Sequence, residues 1–119
     1  MTIVFYLVVA VLIFIAIRNM LPVTGIRHAL ADELKKEIRR KDIQWVDVRT
    51  PGEFKARHIN GFQNIPLQQL SVRVNELDIE REVVVMCQSG MRSQKAARLL
   101  KKKGFKKITN VVGGLAAWK

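Results

Sequence analysis

The run C-Q-S-G-M-R-S at residues 87–93 follows four apolar residues, Val83 to Met86, and leads into a helix-like pattern. It contains the only cysteine of the chain. A thiolate is a strong nucleophile, and the residues after it supply what such a group needs: a glycine that lets the backbone turn, hydroxyl donors and a positive charge. A cysteine closing an apolar run also has a plainer role as a small buried hydrophobe, since free cysteine is among the most buried residue types. The pattern C-x-x-G-x-R-S weighs toward chemistry, because a core cysteine has no need of Gly90, Arg92 and Ser93 directly after it. Ser89 and Ser93 also suit turn or cap positions, and Arg92 suits a structural salt bridge.

Such a group has to be held by regular elements. Leu30, Leu34 and Ile38 fall at helical spacing and predict a helix over 29–40, followed by a strand over 43–48, I-Q-W-V-D-V, which T-P-G-E interrupts. Leu67, Leu70, Val74 and Leu77 form one stripe of a helix over 67–77. The continuous apolar run at 82–87 predicts a strand covered on both faces. A helix with Ala96, Leu99 and Leu100 inward follows, with lysines in its last turn and Gly104 at its C-terminal cap, and residues 106–112 supply another strand. Strands alternating with helices predict an α/β domain with a mostly parallel sheet. Cys87 then stands at the carboxyl end of a central strand, where open α/β sheets place their ligand sites. The next amides lack intrahelical partners and can curl into a nest of donors for one anion, the thiolate itself included. That loop, the helix N-terminus and Arg92 predict a lowered thiol pKa.

Composition bounds the rest. A chain of 119 residues makes one globular domain at most, and a unit of about 100 residues buries a core without staples. One cysteine excludes an internal disulfide and suits a reducing compartment. The first 17 residues carry no charge, and Met1 to Leu21 as a helix rises about 30 Å, a hydrocarbon-core thickness. With no basic start and no A-x-A cleavage pattern, this reads as an uncleaved, single-pass transmembrane anchor at 1–21 preceding a domain at 22–119. Because all the charged side chains follow the anchor, the positive-inside rule puts the domain on the cytoplasmic side of the cell membrane. The net charge of +11 is concentrated in K-K-E-I-R-R-K (35–41) and K-K-K-G-F-K-K (101–107). These runs read as solvated helix faces, with attraction to an anionic lipid surface as a further role. No nucleic acid is expected as a partner. No cofactor is expected either, and a single cysteine with an isolated His28 makes no metal-ligand cluster.

Four segments, D-V-R-T-P-G-E-F (47–54), H-I-N-G-F-Q-N-I-P (58–66), C-Q-S-G-M-R-S (87–93) and V-V-G-G-L-A-A-W (111–118), occur in the order and spacing of the rhodanese-like sulfurtransferase domain. The sequence from about residue 25 to 118 resembles that family. The resemblance implies a three-layer α/β domain around a central, mostly parallel five-stranded sheet. It implies that Cys87 accepts sulfane sulfur from thiosulfate or a persulfide donor and passes it to a thiol acceptor. Gln88, Ser89, Gly90, Met91 and Arg92 would form the substrate-binding loop. Asp47, Arg49 and Glu53 would form a buried ion-pair and loop-bracing group, His58 a packed and hydrogen-bonded histidine, and Trp118 a seal on the core. The six-residue loop from Cys87 to Arg92 is the length that accompanies sulfur transfer in this family, while phosphatase relatives carry one residue more. A membrane-tethered binding or regulatory module is the alternative reading, and a cysteine phosphatase a weaker one. Arg57, Phe62 and Gln63 depart from the small residues common at their positions, which bears on local packing.

Overall fold

A computed structural model describes residues 1–20 and 25–119, with side chains at 19 and 20 left aside. Five strands form one parallel sheet: β1 (Ile26–Leu30), β2 (Gln44–Asp47), β3 (Gln63–Asn64), β4 (Val83–Met86) and β5 (Ile108–Val112). Their spatial order is β1-β5-β4-β2-β3. The β2 and β4 strands are buried at every position, as a strand covered on both faces requires. Alternation along β4 sends Val83, Val85 and then Cys87 to one face and Val84 and Met86 to the other.

Each face has its own core. On the Cys87 side, Val46, Val48, Val83 and Val85 pack beneath Leu70 of α4 (Leu67–Arg73) and beneath Ala96, Ala97 and Leu100 of α5 (Met91–Lys102). On the other side Trp45, Val84 and Met86 meet Leu34 of α2 (Ala31–Lys35), Phe62, Leu115 and Trp118. Trp118 closes that core, with the Phe62 ring edge-on between the indoles of Trp45 and Trp118 at 5.6 Å from each. Phe62 is thus absorbed as an aromatic wedge, a geometry that adds about 1 kcal/mol beyond area burial.

Local structure departs from the sequence reading in three places. The helix expected over 29–40 is instead β1 followed by α2: parallel pairing of His28 with Asn110 and of Leu30 with Val112 outweighs the short helical stripe, leaving Leu30 exposed while Leu34 stays buried. T-P-G-E does not merely end a strand. It starts α3 (Pro51–Ala56), where Thr50 Oγ1 accepts from the Glu53 amide while the Glu53 carboxylate accepts from the Thr50 amide, a capping box with proline in the first turn. The helix expected over 67–77 is α4 extended by a single 3-10 turn, Val74–Glu76.

The N-terminal segment forms α1 (Thr2–Met20), whose apolar side chains from Ile3 to Ile17 are largely exposed, so it is not a core helix. Among the described residues no helix is long and apolar enough to cross a membrane. The described side chains of α1 reach Arg18, a rise of about 26 Å at about 1.5 Å per residue, against a hydrocarbon core of about 30 Å. Leu21, the far end of the expected span, lies outside the described residues.

Candidate active site

Cys87 follows β4 directly, and its sulfur is fully buried. Gly90, with φ +104°, takes the left-handed turn that bends Gln88, Ser89 and Gly90 back over the sulfur before α5 begins at Met91. In that bend the Gly90 amide donates to Cys87 Sγ at 2.9 Å. The first turn of α5 brings Ser93 Oγ to 3.5 Å from the same sulfur, with the hydroxyl also 3.0 Å from the Gly90 carbonyl. Burial pushes the thiol pKa up, but the Ser93 hydroxyl and the Ser93, Gly90 and Ser89 amides outweigh it and hold the thiol below its ordinary value. The site therefore favours a sulfur anion by hydrogen-bond donors aimed at one atom.

A second segment holds that loop from behind. The α6 turn (Gly114–Ala117) places the Leu115 amide 2.8 Å from the Cys87 carbonyl and the Ala116 amide 3.1 Å from the Gln88 carbonyl. With their carbonyls held outward, the loop's amides are left to face the sulfur. Gly114 makes the approach possible: a Cβ there would lie within 2.8 Å of three backbone atoms of Cys87 and Gln88.

The remaining predicted site residues divide by place. Arg92 does not point at the sulfur. It forms a two-pronged ion pair with Glu53, Nη1 to Oε1 at 2.6 Å and Nη2 to Oε2 at 3.0 Å, so its charge is matched by a carboxylate and it ties the loop to the start of α3. The Arg92 guanidinium, with help from Thr50, holds the Glu53 carboxyl down to about 2 despite partial burial. Asp47 and Arg49 form a separate, fully buried pair behind the loop: the guanidinium grips both Asp47 oxygens at 2.8–3.0 Å, donates to the Arg57 carbonyl at 2.6 Å and reaches Gln88 Oε1 at 3.5 Å. Glu53 thus gives its carboxylate to Arg92, while its backbone carbonyl accepts from Arg49 Nη1 at 3.4 Å. His58 is exposed at the end of α3, stacked on Phe54 at 4.1 Å with Nδ1 2.8 Å from the Phe54 carbonyl, in a bracing position and not in the sulfur cradle. The Gln88, Ser89 and Met91 side chains are exposed at the mouth of the loop.

Two groups linked to the site, Asn110 and His28, escaped the sequence reading, and Ser93 entered it only as part of the motif. Ser93 was open as a cap residue, but its spacing six residues after Cys87 is the signal: one helical turn brings it back to the sulfur. Asn110 and His28 carry no local signal, because only the β1-β5 register brings them together.

An α/β domain that closes a loop and the first helical turn on one buried sulfur has the geometry of a cysteine-based site. Residues 30–119 match the rhodanese-like domain, and the chain belongs to that family. It is 32% identical over 95 residues to a thiosulfate sulfurtransferase of Shewanella oneidensis, covering 80% of this chain and 94% of that one. The solved rhodanese-like domain protein of Staphylococcus aureus superposes with a TM-score of 0.72 at 31% identity, over 78% of this chain and 91% of the other. With the YrkF protein of Bacillus subtilis the identity is 47% over 73 residues, 61% of this chain, and the chain spans only 40% of that relative's length.

Proposed function

We propose that the protein is a sulfurtransferase in which Cys87 carries sulfur as a persulfide. The observation that carries this reading is the loop closed on Cys87 Sγ, with the Gly90 amide at 2.9 Å and the Ser93 hydroxyl at 3.5 Å, a geometry sized for one sulfur anion. The Cys87 thiolate attacks the outer sulfur of thiosulfate; a new S–S bond forms, the old one breaks, and sulfite leaves with the bonding pair. A thiolate acceptor then attacks the terminal sulfur of the persulfide, and Cys87 departs as the thiolate that began the cycle. The loop amides from Gln88 to Arg92 stabilise the anion at both stages. With one cysteine, resolution takes place on another molecule, either a small thiol or a partner protein. Relatives named as thiosulfate sulfurtransferases support the reading.

Intact mass measurement tests it. Incubation of the purified chain with thiosulfate should add the mass of one sulfur atom, about 32 Da, which a thiol then removes, and Cys87→Ser should abolish both changes. No sulfur gain by the wild type, or an equal gain in the variant, overturns the reading in favour of a binding module.

The finer reading is that the apolar segment 1–21, of which α1 is only the described part, holds the domain at the cell membrane as a single-pass anchor with the domain on the cytoplasmic side. Support comes from the exposed apolar length of α1 and from the confinement of all charged side chains to the residues from Arg18 onward. All five strands are parallel, so their starting ends share one pole. That pole receives the chain from α1 at Gly25 and carries Lys106 and Lys107 before β5, while Cys87 lies at the opposite pole. A tethered domain of this design faces its basic end to anionic headgroups and its sulfur to the partners.

A further inference from the structure

A line of hydrogen-bonding groups runs from the surface to the buried sulfur. Cys87 Sγ is 3.5 Å from Ser93 Oγ, Ser93 Oγ is 2.5 Å from Asn110 Oδ1, and Asn110 Nδ2 is 3.3 Å from His28 Nδ1. Cys87, Ser93 and Asn110 are buried, whereas His28 on the edge strand β1 is exposed. The parallel register that sets His28 opposite Asn110 is what closes the line. We propose that His28 is a positioning residue for the Cys87 nucleophile, acting through Asn110 and Ser93.

The argument rests on which way each donor points. With the imidazole neutral in its Nε2–H tautomer, Nδ1 is an acceptor and takes an N–H from Asn110, whose carbonyl oxygen then accepts the Ser93 hydroxyl. Ser93 has no proton left for the sulfur, so it accepts one from it: this arrangement favours the thiol. With the imidazole protonated, Nδ1–H is a donor and needs the Asn110 oxygen. The amide turns over, its N–H₂ group donates to Ser93 Oγ, and the hydroxyl proton, no longer held by Asn110, is shared between the Gly90 carbonyl at 3.0 Å and Sγ at 3.5 Å. That arrangement favours the thiolate. Only two covalent bonds change, S–H lost to solvent and N–H gained from it, and nothing is oxidised or reduced. The amide oxygen and nitrogen have no other side-chain partners among the described residues, so the turnover breaks nothing else.

The surroundings let His28 act through this line. On β5 its neighbours Thr109 and Asn110 carry no titratable group. On α5, Lys101 lies beside Gly25 at the start of β1, with Arg98 one turn before it. On the α2 side, Glu33 and Glu37 are drawn to Arg27. Protonation of His28 therefore changes the direction of one built hydrogen-bond line that ends at Cys87 Sγ.

The inference rests on the nucleophilic reading of Cys87 but not on sulfur as its cargo, and the test separates the two. The rate of iodoacetamide alkylation of the full chain is measured from pH 5 to 10, for the wild type, His28→Gln and His28→Leu. His28 is exposed, so both variants keep the core. The wild type should show two inflections. In His28→Gln, which keeps a neutral partner for Asn110, a single inflection should remain and the rate near pH 6 should fall on the order of 10-fold, the equivalent of one pKa unit at the thiol. The rate for His28→Leu should fall at least as far. A His28→Gln profile that superposes on the wild type overturns the inference. Sulfur loading from thiosulfate, followed by mass in the same samples, reports separately on the sulfurtransferase reading.

Discussion

Arg92 and Glu53, thirty-nine residues apart in the chain, are joined by two charge-assisted hydrogen bonds of 2.6 and 3.0 Å, which clamp the end of the Cys87 loop to the capping box of α3. One carboxylate thus serves both a helix start and the active loop. Its folded pKa of about 2 lies below the ordinary glutamate value of about 4.3.

The sign of the pH effect follows from that depression. The stabilisation from Glu53 is fully present above pH about 4.3 and is lost as the pH falls toward 2. Because the pair is about one-third exposed, solvent screening keeps the effect small. Urea midpoints compared at pH 5 and pH 2.5 should fall less for Glu53→Gln than for the wild type, and sulfur transfer by the variant should drop at neutral pH as the loop loosens. Equal falls in the midpoint for the two proteins would show that the pair is not coupled to folding.

Gly114→Ala is expected to be among the most damaging small substitutions. The added methyl would meet the Cys87 carbonyl oxygen at 2.3 Å, so the loop must move. A shift near 1 Å at the reacting sulfur costs on the order of 100-fold in rate. Steady-state transfer from thiosulfate to cyanide measures it, and a rate within 2-fold or so of wild type would mean the α6 turn does not set the loop.

Arg49→Met keeps much of the volume but leaves the Asp47 carboxylate buried without its partner. Breaking a buried pair on one side destabilises by about 3–5 kcal/mol. Chemical denaturation should show this loss, while the double change Asp47→Asn with Arg49→Met should recover part of it. If the single variant matches the wild type in stability, the pair is not the structural brace that its geometry describes.

The membrane reading has a cellular measurement. In intact cells a membrane-impermeant thiol reagent should leave Cys87 unlabelled until the membrane is permeabilised, and the protein should stay in the membrane fraction through a high-salt wash. Labelling of intact cells overturns the orientation. Release by salt assigns the attachment to the lysine-rich faces, since screening over a Debye length of about 3 Å at 1 M salt removes that attraction.

Much of the site was legible from local pattern. The apolar run at 83–86, the glycine at 90 and the helical stripe after it act within a dozen residues, and they place Cys87 at a strand end under a helix start without knowledge of any partner strand. Trp118 as a core seal came with the family resemblance carried by V-V-G-G-L-A-A-W, and it is buried in the core opposite the Cys87 face. Of the helix expected over 29–40, residues 31–35 are helical, while residues 29 and 30 join the edge strand through a pairing that no local signal announces.

The sequence by itself determined where a thiol site can stand: one thiol, a turn that can cradle an anion, and alternating strands and helices that put both at one end of a parallel sheet. Tertiary structure alone decided which groups reach the sulfur and which do not. Arg92 is claimed by Glu53, Gly114 is pressed against the Cys87 carbonyl, and His28 is connected to Cys87 through Asn110 and Ser93. The physical reason is range. Helical periods, caps and turns are set by neighbours a few residues apart, whereas strand register and ion-pair choice join residues 17 to 82 positions apart and become definite only when the sheet is assembled.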